Sequence, residues 1–459
     1  MIRVFSHWLP SRTVFHITFD VLLLALMVLC AAWLDQANTP AVWTVAPYAV
    51  AFAVITVALN KVIGFYHLDG KRSPAYLSAL ALVSVLLVAP MAFALFGEVP
   101  REQANYGSLQ ISALLALVIV VAIRISAVSL GLGAVVTRRV IILGTGAEAQ
   151  AVEQSLQSGA VRVVGFYPVG GESPSNVPQA QVQVLAPGVS LTETAWRLRV
   201  NEIIVAVSER RGGGMPLNEL LNCKLAGVRV LDLSSYFERA LGQVRLDSLR
   251  ASWLIFGDGF RQGFMRSVIK RTFDIVAALM LLILTLPIML LTAVLIALES
   301  GFPIFYLQER VGRGGRLFRV AKFRSMRTDA ELDGKPRWAV SNDARVTRVG
   351  RFIRKYRIDE LPQLLNVLKG NMSLVGPRPE RPYFVDTLTQ EVPFYAARHS
   401  VKPGLTGWAQ VRYHYGASSH DAMNKLQFDL YYVKNHTLFL DIVVLFETVM
   451  VVATGKGAQ

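Results

Sequence analysis

Charged residues are scarce in this chain of 459 residues. They make up 17% of it, against about 25% in typical soluble domains. Hydrophobic residues reach 53%, and the mean hydropathy is +0.42. This composition excludes a wholly soluble protein, and we expect a good part of the chain to lie in lipid.

Acidic residues are scarcer still, with 32 Asp and Glu against 47 Lys and Arg, which gives a net charge of +15. A basic chain can bind nucleic acid, anionic lipid headgroups or a polyanionic substrate. Nucleic-acid binding would account for the charge but not for the long apolar runs. The composition therefore favours a lipid surface or a polyanionic substrate, and no nucleic acid.

Cysteine is almost absent, since the chain has only Cys30 and Cys223. Two cysteines so far apart imply neither a disulfide framework nor a zinc site. No cleavable signal peptide is predicted, because the first apolar run is too long for one and no small-residue cleavage site follows it.

Four apolar runs open the chain, and each has about the 20 residues that a helix needs to span ~30 Å of hydrocarbon. Basic residues precede the first run and follow the second and the fourth. The positive-inside rule then puts both ends of this unit in the cytoplasm. We predict a four-helix transmembrane domain over residues 1–136, with runs at Val14–Leu34, Ala41–Leu59, Pro74–Phe96 and Leu109–Leu130.

Strand and helix patterns alternate in residues 137–262, which is typical of a doubly wound parallel sheet. We therefore predict a Rossmann-like cytoplasmic domain. The loop Gly144-Thr145-Gly146-Ala147-Glu148-Ala149 fits a loose dinucleotide fingerprint, yet no acid clearly ends the second strand. Nucleotide binding and a degenerate packing or regulatory domain both stay open. Strands are predicted at Arg139–Leu143, Val161–Tyr167, Glu202–Val207 and Val228–Leu231, and helices at Ala151–Leu156 and Leu217–Leu225.

An alternative function uses that glycine loop, namely a membrane-bound NAD-dependent sugar-nucleotide dehydratase or epimerase. Such enzymes need the pattern Tyr-x-x-x-Lys. None of the 14 tyrosines has a lysine four positions on, which weighs against this function.

A fifth apolar run, Ile275–Leu298, has Pro287 near its middle. A proline inside a helix removes one backbone hydrogen bond and kinks or breaks the helix. Basic residues flank the run on both sides, so a crossing would leave one basic block on the wrong side. We predict a re-entrant membrane helix over 270–298, broken at Pro287, and a kinked fifth crossing is the alternative.

Two adjacent carboxylates, Asp359 and Glu360, follow a strongly basic stretch: from Arg310 to Arg357 there are 15 Lys and Arg and only four acids. Pro362 fits only the first turn of a helix, so the pair is predicted at or just before the start of a helix over Leu361–Lys369. Helix starts favour negative charge and bind phosphate. Two acids in a basic field indicate chemistry on a phosphate ester with a divalent metal. The structural alternative is a helix cap and a first-turn charge.

Three basic residues are candidate phosphate ligands. Arg378, held between Pro377 and Pro379, is rigidly placed for a bidentate contact with phosphate. Lys322 and Arg324 are further candidates. The alternatives are a structural salt bridge for Arg378 and contact with lipid headgroups for Lys322 and Arg324.

From Lys270 onward the chain resembles the bacterial sugar transferase family, the monotopic polyprenyl-phosphate phosphoglycosyl transferases. The resemblance rests on KRTFDIVAALMLLILTLPIML, FYLQERVGRGGRLFRVAKFRSM, NDARVTRVGRFIRKYRIDELPQLLNVLKGNMSLVGPRPERP and VKPGLTGWAQV. Four spans followed by a Rossmann-like domain resemble the large members, and the opening is similar to the PEP-CTERM/exosortase branch. Asn342 and Asp343 match the pattern too, and we expect a structural role for them.

The resemblance implies a mechanism and its partners. Asp359 would attack the β-phosphorus of a UDP-hexose and expel UMP, Glu360 would help bind Mg²⁺, and undecaprenyl phosphate would accept the sugar phosphate for exopolysaccharide synthesis. It also implies the bacterial inner membrane, a catalytic domain on the cytoplasmic face and a possible homodimer. The predicted fold is thus a membrane protein, α plus α/β, with a mixed α/β catalytic domain over 263–459.

Overall fold

The computed structural model describes residues 2–4, 7–9, 11–34, 42–63, 74–99, 106–129, 138–156, 161–169, 176–185, 188–207, 215–246, 263–327, 345–413 and 418–454. The chain divides into two compact units. The first unit comprises residues 1–2 and 9–236, and the second comprises residues 3–8 and 237–459. The domain boundaries drawn from the sequence stay a prediction.

The described residues are mostly helical. The helices are α1 (Ser11–Leu34), α2 (Val42–Ile63), α3 (Pro74–Gly97), α4 (Tyr106–Ser129), α5 (Ala147–Leu156), α6 (Leu191–Arg197), α7 (Leu217–Leu225), α8 (Leu233–Ala240), α9 (Phe264–Ser300), α10 (Arg348–Lys355), α11 (Leu364–Lys369), α12 (Pro382–Glu391), α13 (Trp408–Arg412), α14 (Ser419–Asn435) and α15 (Leu438–Thr454). The strands are β1 (Ile2–Val4), β2 (His7–Leu9), β3 (Arg138–Leu143), β4 (Val161–Tyr167), β5 (Glu202–Val205), β6 (Arg229–Asp232), β7 (Phe305–Val311), β8 (Leu317–Phe323), β9 (Ser373–Val375) and β10 (Gly404–Thr406).

The first four helices form a bundle in which α1 packs against α2 and α4, and α3 packs against the same two helices. Its core is apolar and includes the fully buried Leu24, Phe52, Phe96 and Leu117. Among the described residues, four helical stretches are long and apolar enough to cross a membrane: Thr13–Leu34, Trp43–Lys61, Leu80–Gly97 and Phe264–Ser300. The fourth predicted run lies in α4, whose apolar stretch Gly107–Ile123 is shorter.

A parallel sheet in the order β4-β3-β5-β6 follows the bundle. Its strands are short, and the two central ones, β3 and β5, are the most fully buried, as expected of strands with a neighbour on each side. The loop from Gly144 joins β3 to α5, and Gly144 has a positive φ of 118° that glycine tolerates. The predicted parallel sheet is therefore present, whereas the Rossmann-like arrangement of this domain and ligand binding by its loop stay predictions.

The second unit joins an antiparallel hairpin, β7–β8, to a short parallel pair, β9–β10, and to helices α10–α15. Asn366 of α11 ties the helix to β8, because its Oδ1 accepts from Ala321 N at 3.1 Å and its Nδ2 donates to Arg319 O at 2.7 Å. Leu364 and Val367 on the same helix are fully buried in the core of this unit. The helix that follows the carboxylate pair is thus fixed to the hairpin by both packing and hydrogen bonds.

Helix α9 is 37 residues long and helical throughout, with Pro287 inside it. It begins at Phe264, six residues before the predicted start. The helix is not interrupted at Pro287, so the predicted break is not an end of the helix, and the bend stays a prediction. Asp274 is buried inside the helix and accepts from Leu374 N at 3.2 Å.

The second unit also includes His7, from the start of the chain. Its ring is buried, with Nδ1 at 2.7 Å from the hydroxyl of Tyr431 and an edge-on contact with Trp408. Residues 424 positions apart therefore share one core contact.

Candidate active site

The carboxylate pair lies in a 3₁₀ helix, Ile358–Gln363, that directly precedes α11. Arg357 begins this turn in the left-handed conformation, with φ of 59°, which is uncommon for a residue other than glycine. The pair thus lies inside a tight turn just before α11, which starts at Leu364, three residues after the predicted start at Leu361. No side-chain cap forms at the start of this described turn, so the geometry gives no support to a capping role for Asp359.

Glu360 is buried and surrounded by three cations. Its carboxylate lies 2.6 Å from Arg378 Nη2, 3.1 Å from Lys322 Nζ and 3.7 Å from Arg357 Nη1. Burial alone would raise the pKa of Glu360, but Arg378, Lys322 and Arg357 together hold it well below its usual range. Glu360 is therefore ionised at neutral pH, and three basic groups of the site surround it.

Asp359 differs from its neighbour. It is 8% exposed, and its Oδ1 is buried without a hydrogen-bond partner among the described residues. Burial and the adjacent charge of Glu360 raise the pKa of Asp359 to about 6, against the opposing effect of Lys322. At neutral pH most of this carboxyl is ionised, and one of its oxygens remains available for chemistry.

Lys322 and Arg310 are two further basic residues of this site whose side chains are buried. Burial lowers the pKa of both side chains, and the nearby guanidinium of Arg378 lowers each further, while carboxylates oppose the shift. Such a cluster of unlike charges in one small volume is typical of a functional site. A pocket in this unit opens onto these groups, and it is lined by Arg310, Val320, Lys322, Gln363, Arg378, Pro379 and Gly404.

The fold brings together only some of the predicted site residues. Asp359, Glu360, Lys322 and Arg378 come together. Arg324 does not join them, because its Nη2 donates to the carbonyl of Ser300 at 2.7 Å and to the hydroxyl of the same residue at 2.9 Å, at the end of α9. Pro287 lies in α9, and Asn342 and Asp343 lie outside the described residues.

Two residues of the site were missed from the sequence. Arg310 and Arg357 were counted in the basic stretch but not singled out. The stretch alone does not distinguish them from their 13 basic neighbours. The fold brings Arg310 beside the segment of Arg378, and Arg357, three residues before Glu360, pairs with it within the same turn.

Mg²⁺ is the cofactor that the resemblance implies. Within the described ranges, no three or more His, Cys, Asp or Glu form a group that could hold a metal by themselves. Mg²⁺ in phosphoryl-transfer sites usually takes one or two protein carboxylates and completes its shell with phosphate and water. The carboxylate of Glu360 beside the unpartnered Oδ1 of Asp359 fits such a shared site, in which Glu360 would hold the ion.

Comparison with known proteins identifies the segment that carries this site. A family model described as bacterial sugar transferase matches residues 265–455. This segment includes α9, the carboxylate pair and Arg378, and it excludes the Gly144 loop. The comparison therefore does not favour the NAD-dependent alternative.

Individual relatives extend the likeness. A UDP-N-acetylgalactosamine-undecaprenyl-phosphate N-acetylgalactosaminephosphotransferase of Aeromonas hydrophila is 47% identical over 240 residues, which is 52% of this chain and 56% of that protein. The chain thus spans about half the length of that relative. A UDP-galactose-lipid carrier transferase of Erwinia amylovora is 34% identical over 351 residues, 69% of each protein. An undecaprenyl-phosphate galactose phosphotransferase of Salmonella typhimurium is 34% identical over 356 residues, 70% of this chain and 69% of that protein. The chain belongs to the bacterial sugar transferase family.

Proposed function

We propose that this protein transfers a hexose-1-phosphate from a UDP-hexose to undecaprenyl phosphate and releases UMP, as the first membrane step of exopolysaccharide synthesis. The observation that carries the proposal is the contrast within the carboxylate pair. Asp359 keeps a free, buried oxygen, whereas Glu360 is held by three cations. One carboxylate can therefore act as a nucleophile while the other orders positive charge around the phosphate.

Asp359 takes part in both half reactions, first as the nucleophile and then as the leaving group. In the first half reaction Oδ1 attacks the β-phosphorus, the bond from that phosphorus to the bridging oxygen breaks, and UMP leaves with the electron pair. The product is a sugar-phosphoryl aspartate. In the second half reaction an oxygen of undecaprenyl phosphate attacks the same phosphorus, and the Asp359 carboxylate is released unchanged. Covalent catalysis of this kind splits one difficult displacement into two easier ones.

The basic residues offset the charge of the reacting anions. Attack by a carboxylate on a diphosphate brings negative charges together, so nearby cations stabilise the transition state. Arg378 lies 2.6 Å from Glu360, and a diphosphate oxygen could replace that carboxylate as its partner. Lys322, 3.1 Å from the same carboxylate, is placed to do likewise. Mg²⁺ held by Glu360 would supply further neutralisation of the diphosphate.

The contacts of α9 support a helix whose two ends lie on the same side of the membrane, as the re-entrant prediction requires. Its first half packs through Phe273, Ala277 and Leu282 on the core of the second unit. Its second half packs through Met289 and Ile296 on a core shared with Phe323 and Ile353 of the same unit.

The largest gap in these contacts is from Leu282 to Met289, about 10 Å at 1.5 Å per residue. A crossing needs ~30 Å of helix free in lipid. The opposite face is apolar and exposed at Leu284, Leu291 and Leu298. A helix laid along the catalytic unit with one face in a single leaflet fits both observations.

Such a placement gives the protein access to both substrates. A lipid phosphate sits at headgroup depth, and a nucleotide sugar reaches that depth from the cytoplasm. We place the protein in the bacterial inner membrane, with the catalytic domain on the cytoplasmic face and the four-helix domain as an anchor. A homodimer is part of the same proposal and rests on the family resemblance alone.

The identity of the sugar is tested by a release assay. Relatives are named for N-acetylgalactosamine, galactose and glucose, so a panel of UDP-sugars should cover all three. We expect membranes containing the protein to release UMP from at least one of them, dependent on undecaprenyl phosphate for repeated turnover. Release of UMP from none of the panel, with the protein folded and Mg²⁺ present, would refute the proposal.

A further inference from the structure

Hydrogen bonds to its backbone carbonyl groups hold the segment Pro377-Arg378-Pro379 in place. Its three successive carbonyls each accept one hydrogen bond. Pro377 O accepts from Gly404 N at 3.0 Å, Arg378 O accepts from Arg398 Nη2 at 2.9 Å, and Pro379 O accepts from Arg310 Nη1 at 3.0 Å. The ring of each proline fixes φ, and neither proline has a backbone N–H that could bond to water. The backbone around Arg378 is therefore fixed from several sides.

Arg398 is itself rigidly held. Its side chain is 6% exposed and lies 2.7 Å from the buried carboxylate of Asp429. Its Nη1 donates to the hydroxyl of Tyr395 at 2.6 Å. A planar guanidinium can serve a carboxylate, a hydroxyl and a backbone carbonyl at the same time, which the compact ammonium of lysine cannot do.

Arg310 holds the other side of the segment. Its guanidinium lies 3.4 Å from the carboxylate of Glu380, one residue beyond the segment. The strand that carries Arg310 also binds the same stretch, since Val311 N donates to Glu380 O at 3.0 Å. Arg310 therefore joins β7 to the segment that carries Arg378.

We propose that Arg398 is a positioning residue for Arg378, and that it acts on the reaction through Arg378 alone. The inference rests on the proposed function, in which Arg378 binds a substrate phosphate. With its backbone fixed, Arg378 can exchange Glu360 for a phosphate oxygen by side-chain rotation only. Arg398 does not line the pocket of the site, so it need not touch the substrate, whereas Arg310 lines that pocket and could contact the substrate directly.

Weakening these hydrogen bonds should lower the rate of catalysis strongly, even if Arg378 moves only slightly. A shift of about 1 Å in a group that binds the reacting phosphate can cost on the order of 100-fold in rate. Arg398→Lys keeps the positive charge beside Asp429 but cannot reach all three acceptors. We expect kcat to fall by about 10- to 100-fold on this principle.

A double-mutant cycle separates positioning from general damage. The four proteins are the wild type, Arg398→Lys, Arg378→Ala and the double variant, and kcat/KM for UMP release is measured for each. If Arg398 acts through Arg378, Arg398→Lys should cost less than about twofold once Arg378 is absent, since coupled residues are non-additive. An equal loss in both backgrounds would overturn the inference.

A further variant guards against misfolding. Tyr395→Phe removes one partner of Arg398 and leaves its charge pair. It should lower kcat in the wild-type background and have little effect beside Arg378→Ala, with thermal unfolding as a check of folding. An additive loss would contradict positioning through Arg378.

Binding of UDP, a diphosphate probe, gives a second readout of the same cycle. We expect Arg378→Ala and Arg398→Lys to weaken UDP binding, with no further loss in the double variant. A wild-type protein that binds UDP without releasing UMP would refute the proposed function, and the binding cycle would still decide the positioning. A wild-type protein that binds no UDP would overturn both.

Discussion

Two adjacent carboxylates acquire different properties because their surroundings differ. Asp359 is buried beside another anion, which raises its pKa to about 6. Glu360 faces Arg378 and Lys322, which hold its pKa well below the usual range. Pairs of acids whose pKa values are pushed apart are typical of sites in which the two groups have separate roles.

Removing the charge of Asp359 tests the nucleophile directly. Asp359→Asn is nearly isosteric, and its amide cannot form the phosphoryl bond that a carboxylate forms. We expect product formation and the UMP-releasing half reaction to fall to background in membranes. Full turnover by this variant would refute the assignment of Asp359.

Glu360→Gln should release the cations of the site. Without the anion, Arg378 and Lys322 lose their nearest partner and turn toward Asp359, which would mask the nucleophile. We expect kcat/KM for UMP release to fall by about 100-fold, or about 2.7 kcal/mol.

The matched control is Glu309→Gln, because Glu309 pairs with Arg319 on the surface at 3.8 Å. Exposed pairs of this kind contribute about 0–1 kcal/mol, so this variant should keep wild-type activity. A Glu360→Gln enzyme with wild-type activity would contradict the role given to Glu360.

For single residues, the sequence identifies those site residues that lie within a recognisable local motif. Asp359, Glu360, Lys322 and Arg378 stand in recognisable stretches, and the fold brings them together. Arg398 and His7 could not be predicted, because each acts through a contact that is distant in the chain. Arg324 shows the reverse, since it lies two residues from Lys322 and yet its side chain binds the end of α9.

Among the elements, α9 begins earlier than its prediction. The sequence pattern predicts a start at Lys270, and the helix begins at Phe264. Lys270 is then an internal residue whose Nζ lies 2.8 Å from the buried Asp441 of α15. Hydropathy shows which part of a helix is apolar, but it does not determine the residue at which the helix begins.

Cysteine labelling tests whether α9 re-enters. Phe264 and Phe302 stand near its two ends and are 85% and 76% exposed. With Cys30 and Cys223 replaced, single cysteines at these positions should both react with a membrane-impermeant maleimide from the cytoplasmic side only. Labelling of the two positions from opposite sides would establish a crossing and contradict re-entry.

The pair β9–β10 depends on glycine. A Cβ on Gly404 would collide with the backbone of Gly376 and Thr406, so these strands approach closely only without a side chain there. We expect Gly404→Ala to cost about 1–3 kcal/mol of unfolding free energy by overpacking and to lower UMP release, because Gly404 also binds Pro377.

Gly263→Ala is the control, since a Cβ there has nothing within 4 Å. It should change the unfolding temperature little and leave activity at the wild-type level. A Gly404→Ala protein as stable and active as this control would contradict the account of the strand pair.

Over the whole molecule, composition and local pattern predicted the broad architecture. Apolar runs predicted membrane helices, and alternating strands and helices predicted the parallel sheet, because both follow from local hydrophobic periodicity. The strand order β4-β3-β5-β6 and the packing of α9 on the second unit could not be read from the sequence. They depend on contacts between distant segments, which a one-dimensional pattern does not record.

The central claim concerns which bond of the donor breaks. Membranes with the wild-type protein, Mg²⁺, undecaprenyl phosphate and a UDP-sugar labelled at the β-phosphorus should transfer that label to lipid and release unlabelled UMP. The same membranes with Asp359→Asn should leave the label in the UDP-sugar. Release of labelled UDP, with the sugar alone on the lipid, would contradict transfer of a sugar phosphate.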